Sequence, residues 1–162
     1  MAKIKLKPAL FVVAVFVALV ICAMHAESTN AGEPPGGPFL SLGHTALHSD
    51  NSVGEIGYRV GHWEAAAALI GQGHTSRGDI ERARAWSVSR IVWPSWQLLG
   101  ADNYYRIGAA YVDGDPLVGD WNYRLGLGLS WGLAEVEYFH YSSAGINDPN
   151  TGIDGVQLRL RL

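Results

Sequence analysis

Residues 121–131 read WNYRLGLGLSW. Trp121, Tyr123, Leu125, Leu127, Leu129 and Trp131 share one parity; Asn122, Arg124, Gly126, Gly128 and Ser130 share the other. A period of two sends successive side chains to opposite faces of a strand. One face here is leucine with aromatics at both ends, and the other is small, polar or charged. That pattern predicts a strand whose outer face meets lipid between two interfacial aromatic belts.

Outward from this stretch, eight candidate strands cover roughly 38–47, 52–61, 63–72, 82–93, 102–112, 118–130, 133–142 and 154–162. Each has about the nine to eleven residues that a tilted strand needs to cross a bilayer. Ile56, Tyr58 and Val60 alternate with Glu55 and Arg59, and Tyr105, Ile107, Ala109 and Tyr111 with Tyr104, Arg106, Gly108 and Ala110. Arg82, Arg84 and Arg90 share the parity of Trp86 and Val88. The stretch 93–102, WPSWQLLGAD, is longer than a tight turn and has no assignment. The fold class read from this pattern is all-β: an eight-stranded antiparallel transmembrane β-barrel over 38–162, preceded by a signal peptide.

Glu55, Arg59, Glu64, Arg106, Arg124, Glu135, Glu137, Arg159 and Arg161 then fall on inner faces. Eight strands leave an interior just filled by side chains. The expected lumen is a packed polar core, not a pore, and its opposite charges must pair because unpaired buried charge is costly. Joints near 61–62 and 131–132 are short, while 73–81, 112–117 and 143–153 are longer and rich in Gly, Asp and Asn. An even-stranded barrel with both termini on the periplasmic side places the longer loops outside.

Composition agrees with this reading. Charged residues are 17% of the chain, with 20 glycines, six tryptophans and seven tyrosines; about a quarter charged is usual for a soluble domain. The formal net charge of −3 carries no nucleic-acid footprint. Lys3, Lys5 and Lys7 precede an apolar run from Ala9 to Ala23, which is short for a membrane helix and suited to a signal-peptide core. Residues 1–26 are therefore expected to be a signal peptide cleaved after Ala26, with a lipoprotein at Cys22 and a retained anchor as alternatives. Residues 27–37, ESTNAGEPPGG, form a turn-rich, flexible lead-in. Cys22 is the single cysteine, so a cleaved chain carries no thiol for disulfides or thiolate metal sites.

The chain closes on two more alternating runs. Glu135 and Glu137 share a parity, opposed by Val136, Tyr138, His140 and Ser142. Val156, Leu158, Leu160 and Leu162 oppose Gln157, Arg159 and Arg161. An antiparallel register with Glu137 facing Arg159 and Glu135 facing Arg161 makes two opposite-charge pairs. It sets His140 opposite Val156 and Ser142 opposite Asp154, all on the apolar face. A two-residue slip keeps the faces and loses a charge pair; a one-residue slip mixes them. A serine hydroxyl becomes nucleophilic when an imidazole takes its proton and a carboxylate orients that imidazole. His140, Ser142 and Asp154 are the parts of such a site. Ionisable groups facing lipid tend to be functional, although near the rim a headgroup-wetted pair costs about 0–1 kcal/mol and is the structural alternative.

In the H-x-S of residues 140–142, in AGINDPNTGID at 144–154 and in the short closing strand, the chain resembles the lipid A 3-O-deacylase family of outer-membrane barrels. The resemblance implies a Ser-His-acid site that faces out into the membrane. It implies removal of the ester-linked acyl chain at position 3 of lipid A in lipopolysaccharide, without metal or cofactor. The implied roles are Ser142 as nucleophile, His140 as base and Asp154 as acid. Asn150 and the backbone N–H groups near Ala144 and Gly145 would hold the oxyanion. Ser143 stands where the family usually has Asn, and Asp154 where it typically has Glu. The implied location is the outer membrane of a Gram-negative cell, with the site towards the outer leaflet. A catalytically silent barrel with a structural or binding role is the alternative, and a soluble periplasmic barrel a third. Homo-oligomerisation is left open. His44, His48, His62 and His74 show no metal-ligand spacing, and Asp113, Asp115 and Asp120 do not match a calcium loop.

Overall fold

The structure, a computed structural model, describes residues 36–45, 49–75, 77–114, 118–145 and 152–162. The expected signal peptide and residues 27–35 lie outside the described residues, as do His48, Asp115 and Asn150. The strands are β1 (Gly37–Thr45), β2 (Ser52–Val60), β3 (Trp63–Ile70), β4 (Gly73–Thr75), β5 (Gly78–Ile80), β6 (Ala83–Val92), β7 (Gln97–Leu98), β8 (Ala101–Asp113), β9 (Trp121–Trp131), β10 (Ala134–Ser142) and β11 (Ile153–Arg161). Antiparallel neighbours run β6-β3-β2-β1-β11-β10-β9-β8, and β8 pairs back with β6 to close an eight-stranded barrel. The barrel strands stand where the alternation placed them, with ends moved by a few residues. Gly37, read as lead-in, already pairs with Arg59 in β1.

Two stretches carry structure that the alternation did not indicate. Within 73–81, read as a loop, β4 and β5 form a small hairpin that buries Ile80. In 93–102, β7 folds back on β8 through a tight turn with Leu99 and Gly100 at φ 54° and 72°. Two successive positive φ values are what a type I′ hairpin needs. This fold-back leaves Trp93 buried inside the barrel, its ring 5.0 Å from that of Tyr104 and 5.4 Å from the Arg59 guanidinium.

The interior is layered along the axis. At the long-loop end, Val53, Ala68, Ile70, Ile80, Ala83, Ala85, Ala110, Val112, Val118, Phe139, Tyr141 and Ile153 form an apolar cap. At the end of the chain termini, Ile91, Trp93 and Tyr104 form a smaller one. Between them lie the four carboxylates and five guanidiniums expected of the lumen, all buried. Glu64 accepts from Arg59 Nε at 2.7 Å, from Arg159 Nη1 at 2.9 Å and from Arg106. Glu137 accepts from Tyr104 Oη and Arg124 Nη2 at 2.8 Å and from Arg106 Nε at 3.0 Å. Buried charge is costly unless protein partners meet it, and the network supplies such partners from several strands at once.

The exterior is the reverse. Leu42, Ile56, Val88, Leu127 and Leu158 are all exposed. Trp86, Tyr111 and Trp121 form an aromatic row at the long-loop end, with centroids 6.2 and 5.4 Å apart in succession. Tyr58, Trp63 and Trp131 are exposed at the opposite end. A closed antiparallel barrel leaves no unpaired strand edge in hydrocarbon, and this belt with its aromatic margins is a lipid-facing surface. The chain has the architecture of a membrane-spanning β-barrel.

The closing hairpin corrects one expectation. Glu135 faces Arg159 and Glu137 faces Gln157, a two-residue slip from the charge-paired register. The faces survive, as they must for an even shift, but the partners change. His140 stands opposite Asp154 rather than Val156, and Ser142 lies one residue past the last β10–β11 pair, facing Tyr123 of β9 instead of Asp154. Local charge pairing does not set the register because the lumen offers alternatives. Arg161 Nε reaches Glu135 diagonally at 3.2 Å, and Arg159 crosses to Glu55 at 2.7 Å. Aromatic fit discriminates better: Phe139 pairs with Gly155, where an added Cβ would lie 2.6 Å from the ring.

Candidate active site

β10 carries Glu135, Glu137, Phe139 and Tyr141 inward, so Val136, Tyr138, His140 and Ser142 point outward. β11 brings Asp154 to the same outer face, two residues before Val156 in the exposed series that continues with Leu158 and Leu160. The slip places His140 directly across from Asp154, with Nδ1 2.6 Å from Oδ1. The imidazole is 31% exposed and the carboxylate 6%. The one-methylene stem of Asp154 therefore reaches the ring without help.

Asp154 has a second donor. Tyr138 Oη donates to the same Oδ1 at 2.5 Å. Tyr138 lies on the outward parity two residues before His140, and its register partner is Val156, so the phenol reaches diagonally back towards the long-loop end. Sequence reading had assigned Tyr138 to the apolar face alone. Its shared parity with His140 was visible, but a diagonal contact depends on the register.

A phenol that donates to Oδ1 requires that oxygen to be an acceptor, so the imidazole must supply its own proton to the contact. His140 thus carries a proton on Nδ1, and the neutral ring so held has its lone pair on Nε2. That is the state in which a histidine can accept a proton at Nε2.

Ser142 is half-buried at the end of β10, on the same outward side as His140. The chain then turns sharply: Ala144 has φ 49° and Gly145 φ 84°. Ala144 N–H donates to Ser142 Oγ at 3.1 Å, so this backbone amide is aimed at the hydroxyl. Ser143 is fully buried, and its Oγ has no hydrogen-bond partner among the described residues. Its side chain does not share the outward, half-buried position of Ser142. Asn150 lies outside the described residues.

Beside the His140–Asp154 pair runs a groove of about 390 Å³, lined by Leu125, Gly126, Leu127, Tyr138, His140 and Asp154. Its lining is largely apolar, and it opens on the lipid-facing surface at the end carrying the longer loops. His44 and His74 make other pairs, with Asp50 at 3.2 Å and Asp79 at 2.6 Å, but these are largely exposed to solvent.

Comparisons with known proteins concern this region. Residues 107–162 match a family model described as lipid A 3-O-deacylase (PagL). The resemblance noted in the closing hairpin thus extends over β9, β10, β11 and part of β8. The crystal structure of the outer membrane enzyme PagL is similar in fold, with a TM-score of 0.50 and 18% identity. That likeness covers 77% of this chain and 99% of that one. No curated protein matches the chain.

Proposed function

We propose that the chain is an outer-membrane serine esterase that removes the 3-O-linked acyl chain from lipid A of lipopolysaccharide. The observation that carries this reading is the His140 Nδ1–Asp154 Oδ1 contact of 2.6 Å on the lipid-facing side, with Ser142 outward on the same strand. The pair lies within the stretch that matches the lipid A 3-O-deacylase model. A water-soluble esterase would have to extract its lipid; this arrangement meets the ester at the bilayer interface.

Ser142 Oγ attacks the acyl carbonyl carbon while His140 Nε2 takes the hydroxyl proton. Asp154 holds the ring and stabilises the imidazolium. The tetrahedral oxyanion is held by the N–H groups of Ala144 and Gly145, with Asn150 as a further donor. Re-aiming the Ala144 amide from Oγ to the oxyanion needs only a short movement, because attack brings the two oxygens onto one carbon. Collapse breaks the ester bond, and His140 returns its proton to the departing 3-hydroxyl of the sugar. Water, deprotonated by His140, then attacks the acyl-enzyme and releases the fatty acid. The acyl chain lies along the Leu125–Leu127 groove, and no step requires a metal or cofactor.

The test is mass spectrometry of lipid A from cells making the parent or the Ser142→Ala chain, both confirmed as inserted. Loss of one 3-hydroxyacyl chain with the parent alone supports the esterase. Unchanged lipid A with both leaves a barrel of structural or binding role.

A further inference from the structure

We infer that Tyr138 is a positioning residue of the site: its phenol locks the Asp154 carboxylate against His140. The inference rests on the esterase reading for its catalytic meaning, though its geometry stands apart from it.

Two donors converge on one oxygen, Tyr138 Oη at 2.5 Å and His140 Nδ1 at 2.6 Å. An aspartate on a strand has two side-chain torsions, and one contact alone leaves the carboxylate able to swing. A second contact from the diagonal neighbour removes that freedom. Its direction also matters. Tyr138 lies one pleat deeper along β10 than His140, further from the loop end.

An interfacial tyrosine commonly anchors a barrel by turning its hydroxyl towards headgroups. Here the hydroxyl is turned onto a carboxylate that is itself only 6% exposed. An ionised acid on a lipid-facing surface is costly unless met by donors. Tyr138 therefore both tolerates the charge there and aims it. Outer-shell partners that orient metal-bound histidines are typically worth about 10–100-fold when removed, and the same order is expected here.

The experiment compares the parent, Tyr138→Phe and Ser142→Ala as folded barrels with purified lipid A. It reads kcat, KM, the rate of labelling by a fluorophosphonate, and the folded fraction from the heat-dependent gel shift. Tyr138→Phe keeps the ring and removes the hydroxyl. The expected result is kcat reduced about 10–100-fold, KM unchanged, labelling slowed in proportion and the folded fraction retained. A kcat and labelling rate equal to the parent would overturn the inference, as would a loss confined to the folded fraction. If the variant does not insert, the parent carries the test by proton NMR of the Tyr138 hydroxyl. A slowly exchanging, downfield Oη–H proton is expected, and a hydroxyl in free exchange overturns the inference. A parent that releases no acyl chain and takes no label defeats the esterase reading instead, and the hydroxyl measurement then still decides whether Tyr138 holds Asp154.

Discussion

Phe139 lies across Gly155, its register partner on β11. A Cβ at Gly155 would sit 2.6 Å from Phe139 Cζ and 2.5 Å from the backbone oxygen of His44, so both neighbouring strands crowd that point. The pairing locks the hairpin in the register that sets His140 opposite Asp154. An interior contact between an aromatic ring and a missing side chain thus positions the exterior His140–Asp154 pair.

Gly155→Ala should therefore damage the site from the far face of the strand. Overpacking of this kind typically costs about 1–3 kcal/mol, and a shift of about 1 Å at a reacting group can cost about 100-fold in rate. Acyl release per folded barrel should fall by that order, alongside a lowered urea midpoint. A variant with parental activity would show that the register does not depend on this contact.

Asp154→Asn preserves shape and removes charge. An amide can present its NH2 to His140 Nδ1, which favours the tautomer with the proton on Nε2 and leaves no base for the serine. Loss of the equivalent carboxylate in a serine triad costs about 10⁴-fold in kcat. Initial rates of fatty-acid release should show a drop of that order with the barrel still folded.

Arg159→Met tests the lumen. The guanidinium contacts Glu64 at 2.9 Å and Glu55 at 2.7 Å, and stacks 4.1 Å from the Phe39 ring. Removing one member of a buried charge network strands its partners, at a cost of about 3–5 kcal/mol. The urea midpoint for refolding into vesicles should fall accordingly. A double variant, Arg159→Met with Glu64→Gln, should recover part of the loss.

Leu158→Arg tests the lipid-facing belt. Leu158 is exposed near the middle of β11. An arginine at the bilayer midplane of a barrel costs about 2–4 kcal/mol. The variant should fold in detergent like the parent but lose stability in bilayers. Equal stability in both would argue against a membrane-spanning surface there.

The alternation already separated the faces. Glu55, Arg106, Glu137 and Arg159 are buried in the lumen, and Leu127, Val136 and Leu158 are exposed outside, as parity required. The outward placement of His140 and Ser142 came from the same rule, because side-chain direction along a strand is a local property of the backbone. Residues 93–102 were opaque because a fold-back with a buried Trp93 has no periodicity to read.

What the residues determined by themselves was the barrel, its strand count, its inner and outer faces, and the pairing of a histidine with a serine on the lipid side. All of these follow from a period of two, and a shift of two leaves them unchanged. For that same reason parity could not decide which residue faces which, and the charge-paired register it suggested, with Ser142 opposite Asp154, is two residues off. Only the assembled barrel decided that His140 meets Asp154, that Tyr138 reaches the same oxygen, and that Phe139 covers Gly155. Those pairings depend on side-chain volume and on charges supplied by distant strands, and neither is a property of the hairpin alone.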